Sequence, residues 1–87
     1  MRDVYGVAAF RSRQQVLRFE AVLRRLGVAA QVITTPRDIS MGCGLSVRFP
    51  VDALSQVRAA LAAANPGNLI GLYRVEFAGG RLQVRPM

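Results

Sequence analysis

The residue of this chain best equipped for covalent chemistry is Cys43, its one cysteine, set between Gly42 and Gly44. A thiol reacts as its thiolate, and guanidinium groups or a helix N-terminus favour that form over the neutral thiol. The flanking glycines leave the sulfur unshielded and leave backbone N–H groups free to meet an anion. Arg37, in the same turn-rich run, follows Pro36, whose ring fixes the backbone ahead of it, so it is a candidate anion hook. Arg11 and Arg13 flank Ser12 at the expected start of a helix. Plainer roles exist for every one of these residues. A lone cysteine is often a small buried hydrophobe, paired glycines can simply shape a turn or bulge entering a strand, and loop or cap arginines are usually solvated.

Much other chemistry is excluded by the inventory. The 87 residues include 12 basic side chains, all of them arginine, against 5 acidic ones, with no histidine and no tryptophan. Without histidine there is no triad of the usual kind, and one cysteine cannot supply the ligands of an ordinary zinc site. Without lysine there is no Schiff base and no Walker-type phosphate lysine. No metal or cofactor is therefore expected, and a disulfide within one chain is excluded. The net charge of +7 invites a polyanion partner, and an arginine-rich nucleic-acid or anion-binding module without thiol chemistry is the alternative reading. Aromatic content speaks against nucleic acid. Of only six aromatic residues, Phe10, Phe19 and Phe49 are assigned to core faces, and no aromatic cluster interleaves with arginine as on RNA-binding sheets. The lysine-free, Ala/Arg-heavy composition is also what GC-rich coding produces. Acylphosphatase-type hydrolysis could use Arg11 or Arg13, but no asparagine stands where the attacking water would be oriented.

The elements that must position these residues follow from periodicity. Val4 to Phe10 reads as a buried strand. Ser12 with Gln15 forms a capping box, after which Val16, Phe19, Leu23 and Leu26 recur on one helical stripe and Gly27 ends the helix. Val28 to Thr34 reads as a second strand and Thr35 to Gly44 as a turn-rich loop. Leu45, Val47 and Phe49 alternate with Ser46 and Arg48 as a third strand. Asp52 can cap a second helix with the stripe Leu54, Val57 and Leu61, stopped at Asn65-Pro66-Gly67. Leu69 to Phe77 reads as a fourth strand. Gly79-Gly80 turns the chain into 81–87, an edge strand or a loose tail.

The order βαββαβ predicts one α+β domain over 1–87 of ferredoxin-like type, an antiparallel sheet in the order 4-1-3-2 with both helices on one face. That topology puts the β1–α1, β2–β3 and α2–β4 loops at one end, gathering Arg11, Arg13 and Arg37 near Cys43. A chain of 9.5 kDa buries only about 60–65% of its unfolded surface, so a homodimer would help it. The longest uncharged stretch is broken by Asn65-Pro66-Gly67-Asn68, and Met1-Arg2-Asp3 leads straight into the strand-like run Val4 to Phe10 without the apolar core of a secretory signal. No membrane span and a reducing, cytoplasmic setting are expected.

The run Pro36-Arg37-Asp38-Ile39-Ser40-Met41-Gly42-Cys43-Gly44, followed by the apolar strand Leu45 to Phe49, resembles the signature P-R-x-I-S-x-x-C-G of the selenium/sulfur (Se/S) carrier protein-like family of small bacterial domains. Glu20 on the first helix and the run Leu72-Tyr73-Arg74-Val75 fit the same pattern, and the resemblance extends from about Tyr5 to Glu76. One departure is Gly42, where a small polar residue is as common, which loosens the loop but keeps the thiol. The resemblance implies a carrier rather than an enzyme. In it Cys43 holds a persulfide or selenium adduct, and sulfur or selenium donor and acceptor proteins are the partners. Gly42 and Gly44 would then give access, and Arg37, Arg11 and Arg13 would stabilise the anionic chalcogen.

Overall fold

The computed structural model describes residues 3–39, 44–64 and 67–87. Five strands and two helices follow one another as β1 (Asp3–Phe10), α1 (Arg13–Arg25), β2 (Gln31–Thr34), β3 (Leu45–Phe49), α2 (Leu54–Ala64), β4 (Leu69–Ala78) and β5 (Arg81–Pro86). All strand pairs are antiparallel, in the order β2-β3-β1-β4-β5. The C-terminal run 81–86 is therefore an edge strand, paired to β4 through the Gly79-Gly80 turn, where φ is +60° and +74°. Both glycines adopt the left-handed backbone that such a turn requires.

β1 is central, and its apolar run reflects burial on both sides. Ala8 and Phe10 point into a core shared with Val16, Phe19 and Leu23 of α1, Val47 and Phe49 of β3, and Val57, Ala60 and Leu61 of α2. Both helices thus contribute to one core on one face of the sheet. Phe10 and Phe19 meet as a tilted pair with ring centroids 5.4 Å apart, a geometry that aromatic quadrupoles favour. Phe49 lies over Gly6, its cross-strand partner, and a Cβ at Gly6 would run into the ring. Glycine at position 6 is what lets the ring lie flat on the strand.

Three local expectations needed correction. β2 begins at Gln31 rather than Val28. Gly27 has φ +84°, Gly27 N–H donates to Arg24 C=O at 3.0 Å and Val28 N–H to Leu23 C=O at 2.9 Å, a Schellman closure. That closure ties up Val28 as the apolar plug of the helix end, buried beside Leu23, so the ladder starts later. Leu26 is the C-cap and half exposed rather than core. It lines a groove of about 600 Å³ with Val22, Ala59 and Ala63. Asp52 does not cap α2: it sits exposed inside a single 3-10 turn, Val51–Ala53, that follows Pro50 and leads straight into the helix. Pro50 fixes the entry, so no side-chain cap is made.

Candidate functional site

The end of the sheet where β1 finishes and β3 begins carries the residues singled out for chemistry. Ala9 pairs with Ser46 and Phe10 with Leu69, so the β1–α1 loop, the start of β3 and the α2–β4 loop converge there. Arg11 N–H donates to Asn68 C=O at 2.7 Å, which ties two of these loops together. Ser12 is the N-cap of α1, its hydroxyl accepting from Gln15 N–H at 3.5 Å, and α1 has no acidic residue in its first turn. The positive end of its dipole is therefore not neutralised locally. Arg11 and Arg13 are both exposed at this end, and neither forms an ion pair among the described residues.

Cys43 and Gly42 lie outside the described residues, as do Ser40 and Met41. The two ends of their loop are well defined. Thr35 N–H donates to Gly44 C=O at 2.9 Å, extending the β2–β3 ladder by one rung beyond Thr34 and Leu45. Below it the Thr35 and Ser46 hydroxyls share a hydrogen bond of 2.6 Å, both residues being buried. Gly44 packs its Cα side against Thr35 Oγ1: a Cβ there would stand 3.5 Å from that oxygen, an ordinary contact. Pro36 to Ile39 makes a turn, with Ile39 N–H on Pro36 C=O at 3.0 Å, and Arg37 is exposed on it. Topology thus brings Arg11, Arg13 and Gly44 to one end, and Arg37 to the same end on the β2 side.

The Thr35–Ser46 pair was not singled out from sequence, although two hydroxyl residues bracketing the loop, diagonal to each other across the β2–β3 pairing, are the available signal. Replacing Thr35 with valine keeps the shape and strands the Ser46 hydroxyl without its partner. A loss of about 1–3 kcal/mol is expected, read as a lower thermal midpoint. Adding Ser46→Ala should recover part of it, because both polar groups are then gone.

Among the described residues, no three His, Cys, Asp or Glu side chains converge to hold a metal ion, and no helix is long and apolar enough to cross a membrane. Neither a curated protein nor a solved structure matches the chain. A family model does match it, over residues 5–72, from β1 through the whole loop that carries Cys43 and into β4, ending short of Glu76 and leaving β5 outside. By that match, the chain belongs to the family described as "Putative Se/S carrier protein-like".

Proposed function

We propose that this chain is a carrier that takes a sulfane sulfur or selenium on Cys43 and passes it to a partner enzyme, on a ferredoxin-like scaffold in a reducing cytoplasm. The observation that carries the reading is family membership across the segment containing the only thiol. The strand order, in which β4-β1-β3-β2 run consecutively with β5 added at the edge, supports the scaffold. The pinned base at Thr35 and Gly44 supports a loop presented from a fixed frame.

The transfer needs no general base and no redox partner. The Cys43 thiolate attacks the terminal sulfur of a donor persulfide R–S–SH. A Cys43–S–SH bond forms, the donor S–S bond breaks, and the donor leaves as R–S⁻, so atoms and charge balance. Delivery is the same exchange run toward an acceptor nucleophile. Arginines at this end of the sheet favour the anionic thiolate and the anionic persulfide over their neutral forms.

Mass spectrometry of the intact chain after incubation with a persulfide donor tests the proposal. The expected result is a mass gain of one sulfur atom, located on Cys43 and removed by reductant. A chain that never gains sulfur from a persulfide R–S–SH, nor selenium from the analogous selenosulfide R–S–SeH, would sink it. The arginines are tested separately through the rate of thiol alkylation. Changing Arg11, Arg13 and Arg37 together to glutamine should slow it roughly two- to fivefold at low salt, with the difference shrinking as salt rises. Equal rates in the variant and the parent chain would remove the arginines from the site.

A further inference from the structure

The β4–β5 ribbon is apolar on the wrong side for a lone two-layer domain. Cross-strand partners Val75 and Val84, Phe77 and Leu82, and Tyr73 and Pro86 share one face. Their neighbours Arg74, Arg85, Glu76, Gln83 and Arg81 take the other. From the register, the charged side is continuous with Gly6 and Ala8, hence with the face on which the helices pack. The apolar side is continuous with Tyr5, Val7 and Ala9, on the face that no helix covers among the described residues. Val7, Ala9 and Val75 are fully buried there, while Phe77 is 50% and Leu82 42% exposed. Strand alternation of this kind normally turns the apolar side toward a buried surface, and at the Phe77–Leu82 end no described residue supplies that surface.

We propose that a second copy of this chain supplies it, two sheets stacking through their helix-free faces as a homodimer. Charge distribution selects this occupant. The chain carries +7, but the ribbon's arginines point away from the face, so two copies can approach through it without opposing their charges. Arg48 is the arginine on this face, and its guanidinium is stacked 3.9 Å from the Tyr5 ring centroid in the corner bounded by Gln31 and Pro50. A single-stranded nucleic acid would want arginines interleaved with Tyr73 and Phe77, where the ribbon offers valine, leucine and proline. Strands ~4.8 Å apart rising ~3.3 Å per residue give the face a span of roughly 20 × 30 Å, which sets about 1,200 Å² as the upper bound of the total area that stacking buries, at the small end of specific interfaces, with Phe77 and Leu82 at its open end. The proposal is independent of any chemistry at Cys43.

Sedimentation of the full chain, in reductant so that no disulfide links two copies, tests it. The expected species across the micromolar range has twice the 9.5 kDa chain mass. Phe77→Lys and Leu82→Lys, both at half-exposed positions, should each weaken self-association by roughly thirtyfold or more while far-UV circular dichroism stays that of the parent. Should either variant fail to fold, dilution of the unaltered chain followed by NMR gives the same answer. Concentration-dependent shifts should then concentrate at Tyr73, Val75 and Val84. A monomer at every concentration, a dimer untouched by both lysines, or shifts confined to the helices would overturn the proposal. So would a monomer that instead binds single-stranded RNA through Tyr73 and Phe77 with a steep loss on adding salt.

Discussion

Truncation of Phe49 to alanine is expected to cost about 3–5 kcal/mol, the range for emptying a buried phenylalanine site. A chain of this length has a total stability of roughly 4–13 kcal/mol, so the variant should be substantially unfolded at 25 °C or melt far below the parent. Phe49 is fully buried, reaches the core from the strand beside β1, and covers Gly6. The same contact makes a second, sharper test. Gly6→Ala places a methyl group against the ring, and since the ring is walled in by the helices it cannot swing clear, so overpacking should cost about 1–3 kcal/mol. In a Phe49→Leu background the ring is gone and Gly6→Ala should be tolerated. The two changes should therefore couple by about 1 kcal/mol or more in a double-mutant cycle. Independent, additive effects in thermal or denaturant unfolding would contradict the placement of Phe49 over Gly6.

Cys43→Ser should abolish the sulfur or selenium adduct completely while leaving stability nearly unchanged. Serine is close in size, but its hydroxyl stays protonated near neutral pH, and the chain has no histidine to activate it. The contrast with the arginine variants separates carrying from assisting. Removing Arg11, Arg13 and Arg37 should slow loading and leave its end point intact, because a solvent-exposed charge shifts a thiol equilibrium only modestly. Removing the sulfur should leave nothing to load. Persistence of a sulfur adduct in Cys43→Ser, measured by intact mass, would show that the carrying atom lies elsewhere.

Local signals in the chain identified most elements because each rule acts within a few residues. Ser12 with Gln15 and Gly27 bracket α1 as capping chemistry requires. The alternation Leu45, Val47, Phe49 gave β3, and two consecutive glycines gave the β4–β5 turn. The errors fell where a second rule competed. Val28 was apolar enough for a strand but was claimed by the helix-ending plug at Gly27. Asp52 was a good cap in isolation but was overridden by Pro50, which had already set the entry to the 3-10 turn. Leu26 matched the helical stripe by spacing, yet the helix ends there and the side chain overhangs the groove. At the candidate site, the arginines and the glycine after Cys43 were visible as residue types. The Thr35–Ser46 bond was not, since it joins positions eleven apart that only strand pairing makes diagonal neighbours.

The sequence by itself determined which chemistry is available: one thiol, no histidine, no lysine, and a cysteine loop specific enough to point to its family. It also determined the order of the elements, because periodicity and capping are local. Tertiary structure decided what shares a face. It sent Phe10, Phe19 and Phe49 into one core and left Tyr5, Tyr73 and Phe77 on the opposite face of the sheet. It also turned the ribbon's arginines to the helix side. The +7 charge is a sum over the whole chain, whereas recognition depends on which side of a strand each charge occupies. That side is fixed by register, and register is settled only when the strands pair.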